Sequence, residues 1–129
     1  MELSELRLEL EGVNKELLSL ISKRRRLAGE IQKFKRKEGR QTYDPARERE
    51  LFTALKDELS ELSLGELGAF SLLMEDQAGE GYPKWSQGEH RGFGKGLGIN
   101  PLLLLLFYPD KINVDSLPYE LKKEFKNLF

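Results

Sequence analysis

One stretch limits what this chain can become. From Leu3 to about Glu38, apolar residues recur at alternating spacings of three and four: Leu3, Leu6, Leu10, Val13, Leu17, Leu20, Leu27, Ile31 and Phe34. That rhythm is a heptad seam on one long helix. The position between Leu20 and Leu27 that should be apolar is Arg24, so a cation sits in the seam. Gly12 and Gly29 fall off the stripe and no proline interrupts it, so about 35 residues at 1.5 Å each make a rod of roughly 50 Å. Such a rod cannot bury its stripe alone. It needs other helices, or a second copy of the chain, along it.

The 129 residues suffice for one domain with a modest core. Lysine and arginine number 21 against 22 acidic side chains, so no global field favours nucleic acid or an anionic membrane, and any anion site must be local. Cysteine is absent, which excludes disulfides and thiolate metal sites and fits a reducing compartment. The segment Met1-Glu2-Leu3-Ser4-Glu5 has neither a basic region nor an apolar run, so no secretory signal is expected. The longest apolar run, Leu102 to Tyr108, falls far short of the ~20 residues of a membrane span. A soluble, cytoplasmic protein is expected.

The first helix should end near Gly39, with Lys33, Lys35, Arg36 and Lys37 suiting the negative end of its dipole. After a short loop, Asp44-Pro45 opens a second helix as N-cap and first residue. Its stripe is Leu51, Phe52, Leu55, Leu59 and Leu62. Ser63-Leu64-Gly65-Glu66 fits a capping box for a third helix, with Leu67, Phe70 and Met74 as its seam and Gly79, Gly81 and Pro83 as its stop. Residues 82 to 98 predict an irregular connection, with Trp85, His90 and glycines at 92, 94, 96 and 98. Asn100-Pro101 caps a short apolar helix through Tyr108, and a last amphipathic helix runs from about Leu117 with Leu121, Phe125 and Leu128 on one face. Strand-like alternation is missing, so the class is all-α.

Three helices each bring a polar group into a stripe that should be apolar: Arg24 in the first, Glu48 seven residues before Leu55 in the second, and Gln77 at the end of the third. Arg24 and Lys35, eleven residues apart, point the same way about 16 Å apart along the axis. Desolvated cations are costly unless they meet anions, so the pattern implies either Glu48 and Asp44 as internal partners or an anionic ligand. Arg7 lies about 100° around the helix from Arg24, so it cannot easily serve the same pocket from the same chain, and in an antiparallel or crossed dimer it could serve its partner's. The competing explanation is structural: an arginine in a seam can set register or oligomer state, with Glu48 as its partner.

Leu6-Arg7, then Arg24-Arg25-Arg26-Leu27-Ala28 with Lys35 eleven after Arg24, then Tyr43-Asp44-Pro45-Ala46-Arg47-Glu48, resembles the all-helical chorismate mutase family. The likeness covers residues 3 to about 78 and requires loop length and several charged positions to agree together. It implies a three-helix chain with a long first helix, in an intertwined homodimer with two shared active sites and no cofactor. Carried over by position, Arg24 and the partner's Arg7 hold the substrate carboxylates, and Lys35 binds a carboxylate and the ether oxygen. Glu48 hydrogen-bonds the ring hydroxyl, and Asp44 and Arg47 shape the pocket. The implied reaction is the rearrangement of chorismate to prephenate in aromatic amino-acid biosynthesis.

The sequence departs from that family at the end of the third helix, where a polar residue and then, one turn later, a glutamine or glutamate aimed at the ether oxygen are usual. An ungapped match puts Gln77 and Gly81 there. Either Gln77 does the later residue's work or the tail supplies a substitute. Pyruvate elimination from isochorismate on the same scaffold, and a catalytically silent dimerisation or regulatory module, are the alternatives. Arg25 and Arg26 are expected to be a solvated face. His90 has no companions spaced to make a metal site, and the glycines around Lys95 match no nucleotide-binding spacing. The expected organisation is a mutase-like helical domain over 1–81 and a C-terminal extension over 82–129. Since the stripes all lie before it, removing residues from about Ser86 is expected to leave the helical assembly intact.

Overall fold

The computed structural model describes residues 1–87, 98–117 and 119–126. His90, Lys95, the glycines at 92, 94 and 96, and Leu128 lie outside them. Helices in chain order are α1 (Leu3–Lys37), α2 (Pro45–Ala54), α3 (Lys56–Ser60), α4 (Leu64–Ala78), α5 (Pro101–Phe107) and α6 (Tyr119–Lys126), with short 3-10 turns at Pro109–Lys111 and Val114–Ser116. No strand occurs among the described residues, as the all-α expectation requires. No helix among them is long and apolar enough to cross a membrane. The chain divides into two compact units, Met1–Arg40 and Gln41–Phe129.

The first unit is α1 and its C-terminal turn. Lys35, Arg36 and Lys37 stand in the last helical turn. Glu38 and Arg40 then donate their backbone N–H groups to Phe34 and Lys35 carbonyls at 3.0 and 2.8 Å, while Gly39 takes the left-handed φ of 70°. Only glycine adopts that φ without cost, which is why the helix stops where it does. The seam is open: its nine apolar residues are 49% to 67% exposed, and no α1 residue is buried.

The second unit has its own core. Phe52 and Leu59 from α2 and α3 join Leu67 and Met74 of α4, Tyr82, Trp85, Ile99, Leu102 to Leu105 of α5, and Ile112, Leu117 and Leu121. Each large side chain so buried contributes about 1.5 to 3 kcal/mol relative to exposure. α5 is apolar all round because it is enclosed; Pro101 to Leu105 are all buried.

The continuous second helix of the sequence reading is two pieces. The helix is interrupted at Leu55, with φ −99° and ψ 11°, just after Thr53 donates its hydroxyl to the Arg49 carbonyl at 2.8 Å. Such back-bonding competes with the helical ladder and bends helices. The α4 start is as expected: Ser63 Oγ accepts from Glu66 N at 3.1 Å and Glu66 Oε1 from Ser63 N at 2.8 Å. Hydrogen bonds from the Ser63 backbone N–H, and then from its side chain, lower the Glu66 carboxyl's pKa. The last helix begins at Tyr119, two residues after Leu117.

Candidate active site

On α1, Arg7 is exposed while Arg24 and Lys35 are partly buried. The latter two share a face three turns apart, about 16 Å along the axis. The other expected site residues lie in the second unit. Asp44 caps α2, its Oδ1 accepting from Arg47 N at 3.2 Å, and Pro45 follows at the first helical position. Arg47 donates Nη1 to Glu50 Oε2 at 3.1 Å in an exposed ion pair. Glu48, on the adjoining position of the helix, is partly buried.

Glu48 is engaged from the tail. Its Oε2 accepts the Tyr82 hydroxyl at 2.8 Å. Asn100 Nδ2 donates to the same phenol oxygen at 3.1 Å. Asn100 also caps α5, its Oδ1 accepting from Leu102 N at 3.0 Å, while its backbone N–H goes to Ser71 Oγ at 2.9 Å. Burial, followed by the Glu48 carboxylate, pushes the Tyr82 phenol far above its ordinary pKa, so it is a neutral donor. The edge-to-face ring of Tyr43, with centroids 5.2 Å apart, steadies Tyr82, and Tyr43 in turn meets Trp85 at 6.1 Å.

Gln77 is buried near the end of α4. Beyond it, Gly79 and Gly81 take φ of 78° and 85°. A Cβ at Gly81 would stand 3.3 Å from Thr42 Cβ, so position 81 is both left-handed and crowded. The turn it makes delivers Tyr82 to Glu48.

Glu75, one position before Asp76 and two before Gln77, is a buried carboxylate that the seam reading missed. It accepts from Ser86 N at 3.2 Å and from the Ser86 hydroxyl. Ser71 and Glu75, one turn apart, thus hold the two ends of the connection, at Asn100 and Ser86. Gly98 closes it: a Cβ there would lie 3.2 Å from Ser86 Cα. Polar residues four apart at core positions, between Leu67 and Ala78, were the available signal for both. Tyr82 had none, because its role depends on a turn. A groove between α2 and α5, lined among others by Arg49, Phe52, Lys56 and Leu105, contains none of the expected site residues.

No curated protein and no solved structure matches the chain. The family model described as chorismate mutase type II matches residues 6–75. That span is more than half of the 129 residues and holds Arg7, Arg24, Lys35, Asp44, Arg47 and Glu48, leaving out Gln77. The chain belongs to the chorismate mutase type II family.

Proposed function

We propose that this protein is a chorismate mutase that works as a homodimer and rearranges chorismate to prephenate within one bound molecule. The observation that carries the proposal is that the family match spans Arg7, Arg24, Lys35 and Glu48 together. The reaction breaks the ether C–O bond as a C–C bond forms elsewhere in the same molecule, with no proton transfer and no covalent intermediate. Two tasks therefore fall to the protein. It must hold a flexible dicarboxylate in a compact, chair-like geometry, and it must place positive charge where the ether oxygen gains negative charge.

Arg24 and the partner's Arg7 bind the carboxylates. Lys35 binds a carboxylate and stabilises the ether oxygen as charge develops there. Glu48 takes the ring hydroxyl, and Asp44 and Arg47 shape the pocket, Asp44 by fixing the first turn of α2 that carries Glu48. Gln77, or a residue of the tail, would serve as the second donor to the ether oxygen. The reaction consumes chorismate, so loss of its absorbance on adding purified protein, with the product identified, is the test. Prephenate supports the proposal. Pyruvate release from isochorismate without chorismate turnover would assign the lyase reaction instead, and neither turnover nor saturable binding of a bicyclic transition-state mimic would leave a silent helical module.

A further inference from the structure

We propose that Tyr82 is a positioning residue: its hydroxyl, oriented by Asn100, holds the Glu48 carboxylate as a hydrogen-bond acceptor. The inference rests on the mutase reading above, in which Glu48 receives the ring hydroxyl of the substrate.

Donor and acceptor chemistry fixes the direction of the chain of bonds. The backbone N–H of Leu102 can only donate, so the Asn100 side-chain atom facing it at 3.0 Å is the carbonyl oxygen. The amide nitrogen therefore faces Tyr82, at 3.1 Å from the phenol oxygen. That nitrogen can only donate, so the phenol oxygen accepts and its single proton is sent to Glu48 Oε2, 2.8 Å away. A helix cap thereby sets the polarity of a bond made to a candidate catalytic group.

The support is buried and over-determined. Asn100 is 1% and Tyr82 7% exposed, which limits competition from water. Asn100 is held at three points, by Leu102, Ser71 and Tyr82. Glu48 has three side-chain torsions to restrain, and an acceptor tied at one oxygen presents the other in a narrower range of directions. The positive φ at Gly81 would strain any side chain there, and a Cβ would also press on Thr42. At Gly81 the chain makes a turn, and the next residue, Tyr82, reaches Glu48.

The test is steady-state kinetics on the full chain with Tyr82→Phe, Asn100→Asp and the double variant, each with a melting temperature. Tyr82→Phe keeps the ring and its packing on Tyr43. It should raise KM for chorismate about tenfold, the worth of one charge-assisted hydrogen bond, with a smaller change in kcat. Asn100→Asp keeps the acceptor for Leu102 N but draws the phenol proton away from Glu48, so it should move KM in the same direction. The double variant should be no worse than the poorer single one. Parental KM and kcat in Tyr82→Phe would overturn the proposal, whatever its melting temperature. A lowered KM would overturn it too, showing that Tyr82 competes with the substrate for Glu48. A parental chain that does not turn over chorismate would instead remove the mutase reading on which the role depends.

Discussion

The two units solve burial in opposite ways. In Gln41–Phe129, Trp85, Leu103 and Leu104 are each at most 1% exposed, and short helices that could not stand alone enclose one another. In Met1–Arg40, a single helix carries nine apolar seam residues, all at least 49% exposed. An isolated helix gains little from propensity and is stabilised chiefly by packing its apolar face. The contrast teaches that one chain can complete a core within one unit and leave a whole apolar seam exposed on the other. In the proposed homodimer a second copy covers that seam. The family's charged positions then fall on both kinds of surface, Arg7, Arg24 and Lys35 on the seam helix and Glu48 on the self-contained unit.

The largest way to break that contrast is to remove residues from Ser86 onward. This deletes Ile99, Leu102 to Leu105, Ile112, Leu117 and Leu121 from the core. The second unit should lose its cooperative thermal transition by circular dichroism, reversing the expectation from the heptad stripes alone. A truncated chain that still melts cooperatively would show that the tail is dispensable. Next in size, Leu17→Lys should act on assembly and leave that core alone. A buried lysine in a seam is strongly unfavourable, so light scattering at micromolar concentration should move from dimer to monomer. An unchanged mass would mean that the seam is not the interface.

Smaller in stability, but sharper in function, is Arg24→Leu. Leucine restores the heptad, so the variant should be as stable as the parent or better by about 1 kcal/mol. It should also be nearly inactive, since a charged hydrogen bond to a carboxylate is worth about 1.5 to 3 kcal/mol and its loss misplaces the substrate. A lower melting temperature with parental turnover would make Arg24 a register device instead. The smallest effect concerns alkali. Tyr82's raised pKa means that the unfolded chain releases this proton first, so stability is retained below about pH 10 and falls as pH rises above it. Tyr82→Phe should show a shallower decline of melting temperature above that pH; an identical decline would contradict the burial of the phenol.

Much of this was legible in the sequence because it is local. The seam of α1, the Asp44-Pro45 start of α2, the Ser63–Glu66 box and the Asn100-Pro101 cap each depend on residues within one or two turns. The break at Leu55 was not, since a threonine hydroxyl can serve solvent or the preceding turn equally well. Nor was the bracing of Glu48, 34 residues from Tyr82, because it requires two left-handed glycines to turn the chain back. The donors of the buried Glu75 come from Ser86, eleven residues on, across a connection that no helical period describes. Helical periodicity marks where a polar residue breaks a stripe, but not which distant group will meet it.

The central claim, a mutase whose sites are shared between two chains, is tested most directly by mixing two inactive proteins, Arg7→Ala and Lys35→Ala. After subunit exchange, half the dimers are mixed and each mixed dimer has one site with both residues intact, so activity should recover to about one quarter of the parental level. No recovery, with exchange confirmed by mass, would contradict an Arg7 acting across the interface.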